Sequence, residues 1–316
     1  MGRPLRLREL MLWVALLAAI SCGGGSSPTT PTQPPTPTPD PTPNPPPGGG
    51  GGSGPPPFGH VVLLVEENHG YKDVVGNSAM PYLNGLASQY GLATQYFANI
   101  HPSIGNYFML TTGKTTPSDD NFAGMVSDDN VVRELIAAGK TWKSYAEGLP
   151  SVGYTGGDVL PYSKHHNPYA YLSDVVGTSE ANNLVPFSQF SADLAANQLP
   201  DFSFVAPNLD DDAHDGTLAQ ADTWLKNNIN PLITSPMFQK NGLLVIVFDE
   251  AQTSDAAHGG GRVAAVVVSP FVKKQYQSGT FFQHESTLRL LLKSLGVTTY
   301  PGASANAPEM DEFFTQ

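Results

Sequence analysis

Two uninterrupted apolar runs, Val61-Val62-Leu63-Leu64-Val65 and Leu243-Leu244-Val245-Ile246-Val247-Phe248, organise the chain. Neither alternates with polar residues, so each fits a strand buried on both faces, as the strands of a parallel sheet are. Each run ends abruptly in oxygen-bearing side chains, Glu66-Glu67-Asn68 after the first and Asp249-Glu250 after the second. Further strands are predicted at 94–99, 141–145, 202–206 and 263–269. Apolar positions at helical spacing predict helices at 81–90, 104–112, 130–138, 187–197, 218–229 and 285–295. Strands alternating with helices imply an α/β fold, a mostly parallel central sheet with helices on both faces. In such sheets ligands bind beyond the carboxyl ends of the strands, which is where both acidic clusters fall.

That pattern is absent before residue 59. Residues 1–22 carry Arg3, Arg6 and Arg8, then an apolar stretch from Leu10 to Ile20, then Ser21-Cys22-Gly23. This order predicts a secretory signal ending in a lipobox, with Cys22, the one cysteine of the chain, as the lipid-bearing residue. Cleavage near Ala18-Ala19 without lipid is the alternative. The apolar stretch is shorter than the about 20 residues of a membrane span. Residues 23–58 hold fourteen of the 29 prolines among Gly, Ser and Thr, and bury too little apolar surface to fold. They read as a disordered, extended linker, leaving residues 59–316 as one folded domain. The protein is expected to be exported, either lipid-anchored to a bacterial membrane through Cys22 or secreted, and to meet the membrane through that anchor only.

A formal charge of −12 and a pI near 4.9 argue against a nucleic-acid partner, because neutralising phosphates takes clustered Lys and Arg. Carboxylate and amide oxygens at two strand ends suit a hard or borderline divalent cation. Ser103, in His101-Pro102-Ser103-Ile104-Gly105-Asn106-Tyr107, lies where a strand-like segment gives way to the apolar helix at 104–112. At the positive end of that helix its hydroxyl is placed either to cap the helix or to attack a bound phosphate, beside a cation that lowers its pKa. Asn106, one turn along, is placed to donate to a phosphoryl oxygen, and His101 to orient Ser103.

Glu67-Asn68, His101-Pro102-Ser103 with Asn106-Tyr107, the stretch from Lys164 to Pro168, Pro207-Asn208 followed by His214-Asp215, Asp249-Glu250 with His258-Gly259-Gly260-Gly261, and the segment from His284 to Arg289 occur in that order. The ordered set resembles bacterial acid phosphatases and phospholipase-C-type phosphoesterases, a family of the alkaline phosphatase superfamily. The likeness covers about residues 61–296 and is strongest to small secreted acid phosphatases and phosphatidylinositol-3-phosphatases. It implies an alkaline-phosphatase-like fold and a phosphoric ester hydrolase dependent on a divalent metal ion. Residue by residue, it implies Glu67, Asn68, Asp249 and Glu250 as metal ligands, with Ser103 completing the shell and attacking phosphorus. It also implies that His166 contacts a substrate oxygen beside Asn106 and His101. His214 and His258 are the candidates for the acid that protonates the leaving alcohol. The expected substrate is a small phosphomonoester or a phospholipid headgroup, with an optimum of about pH 5 to 7 set by imidazole titration.

Three other readings compete. A phospholipase-C-type phosphodiesterase belongs to the same family. Ser103, Asp249 and His258 also follow the chain order of an α/β-hydrolase triad, although His101 stands where the nucleophile elbow requires glycine. The third is a tethered surface lipoprotein that binds an ion without catalysis. Oxygen ligands permit magnesium, calcium or manganese, and nearby imidazoles admit zinc or iron.

Overall fold

The computed structural model describes residues 54–315, so the expected signal, Cys22 and most of the expected linker lie outside the described residues. In chain order the elements are β1 (His60–Glu66), α1 (Tyr71–Val74), α2 (Pro81–Gln89), β2 (Gly91–Phe97), α3 (Ile104–Thr112), α4 (Val131–Ala137), β3 (Trp142–Ala146) and β4 (Leu184–Pro186). They continue as α5 (Ser188–Ala195), β5 (Phe202–Ala206), α6 (Leu218–Thr234), α7 (Pro236–Asn241), β6 (Gly242–Phe248), β7 (Ala265–Val268), β8 (Tyr276–Gln283) and α8 (His284–Ser294). One sheet runs β4-β3-β5-β1-β6-β7-β2-β8. All its pairings are parallel except those of β7, which opposes both β6 and β2.

The two apolar runs become the centre of this sheet. β1 lies between β5 and β6, with Leu63 level with Phe204 on one side and Val245 on the other. Every residue of β6 and all but the first of β1 are buried, so both faces are covered. Each such side chain contributes about 1.5–3 kcal/mol on burial. The helices form two mutually packed groups, α3 with α4 and α8, and α2 with α6 and α7. All nine residues of α3 are buried, and its polar Asn106, Thr111 and Thr112 are hydrogen-bonded inside. The helix stops at Gly113, whose φ of +67° favours glycine and where a Cβ would stand 2.1 Å from the Pro301 carbonyl oxygen.

Three of the differences from the sequence expectation have clear physical reasons. Phe58 belongs to the core: its ring lies 5.8 Å from Phe271 and 5.5 Å from Phe314, and its N–H donates to the Ser294 carbonyl. α6 continues through Pro231 to Thr234 because burial of Leu232 and Ile233 outweighs the bond that proline cannot make. β8 escaped notice because it is a largely exposed edge strand without an apolar run.

Register then decides where chemistry sits. Glu66 is level with Phe248, so the next residues, Glu67 and Asp249, emerge side by side at the carboxyl edge. β5 and β3 end on the same edge, delivering the segments that carry Asp212 and His166.

Candidate active site

Glu67 is the hub. Its side chain is fully buried, and its N–H donates to the Asp212 carbonyl at 2.8 Å, tying the β1 and β5 loops together. The Ser103 hydroxyl donates to Glu67 Oε2 at 3.2 Å, and the Tyr107 hydroxyl donates to Oε1. His166, on a single helical turn (Lys164–His166), has Nε2 3.4 Å from Glu67 Oε1 and Nδ1 bonded to Asp212 Oδ2 at 3.1 Å. Its ring stacks on that of Tyr107, 5.3 Å away and 11° from parallel. Ligand atoms of Glu67, His166 and Asp212 all lie within 4.8 Å of one another, and all three residues are buried.

Ser103 resolves its own ambiguity. It occupies the N-cap of α3, yet its side chain makes no capping bond; Asp120 Oδ1 accepts from the Ile104 N–H instead, at 3.1 Å. A serine in this place usually caps its helix. Here a neighbouring aspartate does so and the hydroxyl points at an acid.

Asp249 and Glu250 form the second half of the site. The Asn68 N–H donates to Asp249 Oδ1 at 2.9 Å, from a backbone with φ of +56° that asparagine tolerates. Asp249 Oδ2 is buried and has no hydrogen-bond partner among the described residues. Glu250 Oε2 accepts from Asn106 Nδ2 at 3.2 Å, and Glu250 Oε1 lies 3.2 Å from His101 Nδ1. Asn106 is fully committed: Nδ2 also donates to the Ile100 carbonyl, while Oδ1 accepts from the Asn99 and Ile100 N–H groups. It therefore holds Glu250 and the turn before Ser103, and has no free donor for a phosphoryl oxygen. His101 likewise braces Glu250 rather than Ser103, since its Nε2 engages the Asp255 carbonyl at 3.0 Å.

The electrostatics are those of a cation site without its charge balanced by protein. Burial, then Asp249 and Asp212, pushes the Glu67 carboxyl well above its ordinary range. Burial raises Asp212 to about 8 and Asp249 to about 7; burial and then Asp249 raise Glu250 to about 9. Among the described residues the ion-pair partners of these acids are histidines only. Burial, then His214, drives His166 down to about 3, and burial, then His166, drives His165 down to about 4. Burial thus works against a proton on either imidazole. Two ionised carboxylates no more than 4.8 Å apart repel by roughly 3 kcal/mol or more at an effective dielectric of 20. Protons or a divalent cation remove that cost. The unpartnered Asp249 oxygen, the buried acids and the imidazole make a donor set that fits such an ion.

The outlying histidines divide. His214 borders the cluster, with its ring 5.6 Å from that of His166, its Nδ1 bonded to Asp215 at 2.7 Å and its N–H donating to Asp212 Oδ1. His258 is exposed, its ring between Phe97 and Phe281 at 4.4 and 4.8 Å. Its contacts include neither Ser103 nor Asp249, so no triad of an α/β-hydrolase forms. Sequence reasoning gave no role to Tyr107, and Asp212 is one of three consecutive aspartates. Nothing in the run Asp210-Asp211-Asp212 marks the third as the buried one. The backbone signal is local: Ala213, next to it, takes a φ of +74°, a conformation that costs alanine roughly 1 kcal/mol and is kept where the surroundings over-determine it.

A solved protein in the alkaline phosphatase superfamily from Vibrio parahaemolyticus superposes with a TM-score of 0.59 over 81% of this chain and 72% of that one, at 12% identity. Likeness at that identity concerns the fold alone, and it defines the class as alkaline-phosphatase-like α/β proteins. The sequence goes further. The model of the Phosphoesterase family matches residues 75–298, and the chain belongs to that family and is a phosphoric ester hydrolase. A phosphatidylinositol-3-phosphatase of Mycobacterium tuberculosis is 33% identical across 82% of this chain and 84% of its own length. A probable acid phosphatase of Kluyveromyces lactis is 29% identical across 73% of this chain, which spans only 56% of that longer relative.

Proposed function

We propose that the protein is a metal-dependent phosphomonoester hydrolase of the acid phosphatase type, acting through a phosphoserine at Ser103. The observation that carries this reading is the Ser103 hydroxyl, released from helix capping by Asp120 and hydrogen-bonded to Glu67 inside a buried cluster of acids. Glu67, Asn68, Asp249 and Glu250 are the proposed ligands of a divalent ion, with His166 and Asp212 extending the set from the other side of Glu67. Such an ion, when bound, lowers the pKa of a neighbouring hydroxyl and offsets charge on phosphoryl oxygens. Glu67 Oε2 is placed to receive the Ser103 proton as Oγ attacks phosphorus and the bond to the alcohol breaks. His214, oriented by Asp215 at the border of the cluster, is the better candidate to protonate the departing alcohol, because the ring of His258 faces two phenylalanines instead. Water then attacks the phosphoserine, Ser103 regains a proton and inorganic phosphate leaves. Tyr107 holds Glu67 in place throughout.

The proposed substrates are small phosphomonoesters or phospholipid headgroups, the latter in keeping with the name of the mycobacterial relative. The protein is proposed to be exported and tethered through a lipid on Cys22, and among the described residues no helix is long and apolar enough to cross a membrane. Mass spectrometry of the mature N-terminus tests the tether. Acid quenching during turnover of p-nitrophenyl phosphate, followed by peptide mass spectrometry, tests the mechanism. Phosphate on the peptide containing Ser103 supports it; turnover with Ser103→Ala at the wild-type rate overturns it.

A further inference from the structure

Behind the acids runs a buried polar chain that none of the steps above uses. The β1–β6 ladder ends at Phe248, and the carbonyl of the next residue, Asp249, turns toward α8. His284 Nε2 lies 2.6 Å from that oxygen. A carbonyl only accepts, so Nε2 carries the hydrogen and Nδ1 a lone pair. The Tyr96 hydroxyl, 3.1 Å from Nδ1, therefore donates to it, and Tyr96 in turn accepts from Thr287 Oγ1 at 2.6 Å. Tyr96, His284, Thr287 and Asp249 are all 0% exposed, so water has no part in this arrangement. The hydrogens run from Thr287 through Tyr96 and His284 to the Asp249 carbonyl, with the Met310 thioether, 3.9 Å from Thr287 Oγ1, as a weaker competing acceptor.

A second arm leaves the same junction. The His284 N–H donates to Asn99 Oδ1 at 3.3 Å, the Asn99 N–H to Asn106 Oδ1 at 2.9 Å, and Asn106 Nδ2 to Glu250 Oε2 at 3.2 Å. The start of α8 thus grips Asp249-Glu250 twice, at the main chain of the first residue and the side chain of the second. A buried histidine needs a partner for each ring nitrogen; here the partner of Nε2 is the main chain of a residue in the acid cluster.

We propose that His284, its tautomer set by the Asp249 carbonyl and its Nδ1 held by Tyr96, is a positioning residue that fixes the Asp249–Glu250 peptide so that both carboxylates keep the orientation in which they bind a divalent cation. This rests on the divalent-cation reading of the site. His284 touches neither substrate nor reacting atoms, and its effect passes through the main chain of Asp249.

The test is manganese(II) titration by calorimetry of the whole protein, beside kcat and KM for p-nitrophenyl phosphate and thermal melting, for wild type, Tyr96→Phe, His284→Leu and His284→Gln. Groups that orient metal ligands typically change affinity or activity about 10–100-fold when removed. The expected result is weakening of that order in His284→Leu, a smaller loss in Tyr96→Phe, and recovery in His284→Gln, whose amide restores a donor to the carbonyl. The loss should appear in kcat and in manganese affinity, with KM nearly unchanged, and excess manganese should restore part of kcat. Manganese affinity equal to wild type in Tyr96→Phe and His284→Leu, with only the melting temperature lowered, assigns these residues to stability and overturns the proposal. Should His284→Leu fail to fold, Tyr96→Phe still decides it. A wild-type protein that binds no manganese sinks the cation reading and the proposal with it.

Discussion

Stripping the protein of divalent cations and raising the pH should destabilise it, in a window set by the buried acids. Asp212, Asp249 and Glu250 have folded-state values of about 8, 7 and 9, all above their ordinary carboxylate range near 4. Between about pH 5 and 7 the metal-free folded protein therefore holds protons that the unfolded chain has released, so raising the pH favours unfolding. The contribution is fully present below about pH 4 and is lost as pH climbs through the raised values. One such group costs about 1.4 kcal/mol per pH unit, or about 3 kcal/mol between pH 5 and 7. At roughly 2–4 °C per kcal/mol for a domain of this size class, one group alone lowers the melting temperature by roughly 6–12 °C. Carboxylates that the fold holds low, Asp174, Asp193 and Asp201, act only at more acid pH, whereas His165, His166 and His284, held below the ordinary imidazole range by burial, oppose the acids up to about pH 6.5, so the loss is clearest above that pH. A divalent cation at a hundredfold excess over its Kd returns about 2.7 kcal/mol, more effectively at pH 7 than at pH 5 because binding must displace protons. Scanning calorimetry of chelator-dialysed protein at pH 5, 6, 7 and 8, with and without manganese(II), reads both effects. A metal-free melting temperature that is flat or rises between pH 7 and 8, or that manganese leaves unchanged at pH 7, refutes the reasoning.

Five substitutions follow from the same geometry. Ser103→Ala should lower kcat by at least about 10³-fold with little change in melting temperature, since the hydroxyl caps nothing; steady-state kinetics and calorimetry check both halves. Tyr107→Phe removes a buried donor to Glu67 and should cost about 1–3 kcal/mol of stability together with weaker manganese binding, read by denaturant unfolding and titration. Asp120→Ala deprives α3 of its capping carboxylate and should cost about 1 kcal/mol, read in urea. His258→Ala should leave kcat/KM within a few-fold of wild type, whereas His214→Ala should depress kcat by about 10²-fold or more; the reverse order would reassign the acid.

The sheet was legible because its central strands are buried on both faces. Val61–Val65 and Leu243–Phe248 carry no alternation that another fold would need, and their acidic successors announced the functional edge. The helix at 104–112 was legible in both limits, since it starts after Ser103 and ends at a left-handed glycine. β8 was not legible, because Tyr276–Gln283 takes its order from pairing with β2 rather than from its own composition. The grouping of Glu67 with Asp249 and Ser103 could be read from positions at strand and helix ends. The commitment of Asn106 and His101 to Glu250, the burial of Asp212 and the displacement of His258 depend on how the loops pack, which no local pattern encodes. Ser103 shows the same limit at one residue: its sequence context fits capping and catalysis alike, and the choice is made by Asp120, seventeen residues away in the chain.

Anomalous diffraction from a crystal soaked with manganese(II) and orthovanadate tests the central claim most directly. The account predicts manganese bonded to oxygens of Glu67 and Asp249, and vanadium bonded to Ser103 Oγ. Manganese elsewhere on the protein, or vanadate bound with the Ser103 hydroxyl turned away from it, would contradict the account.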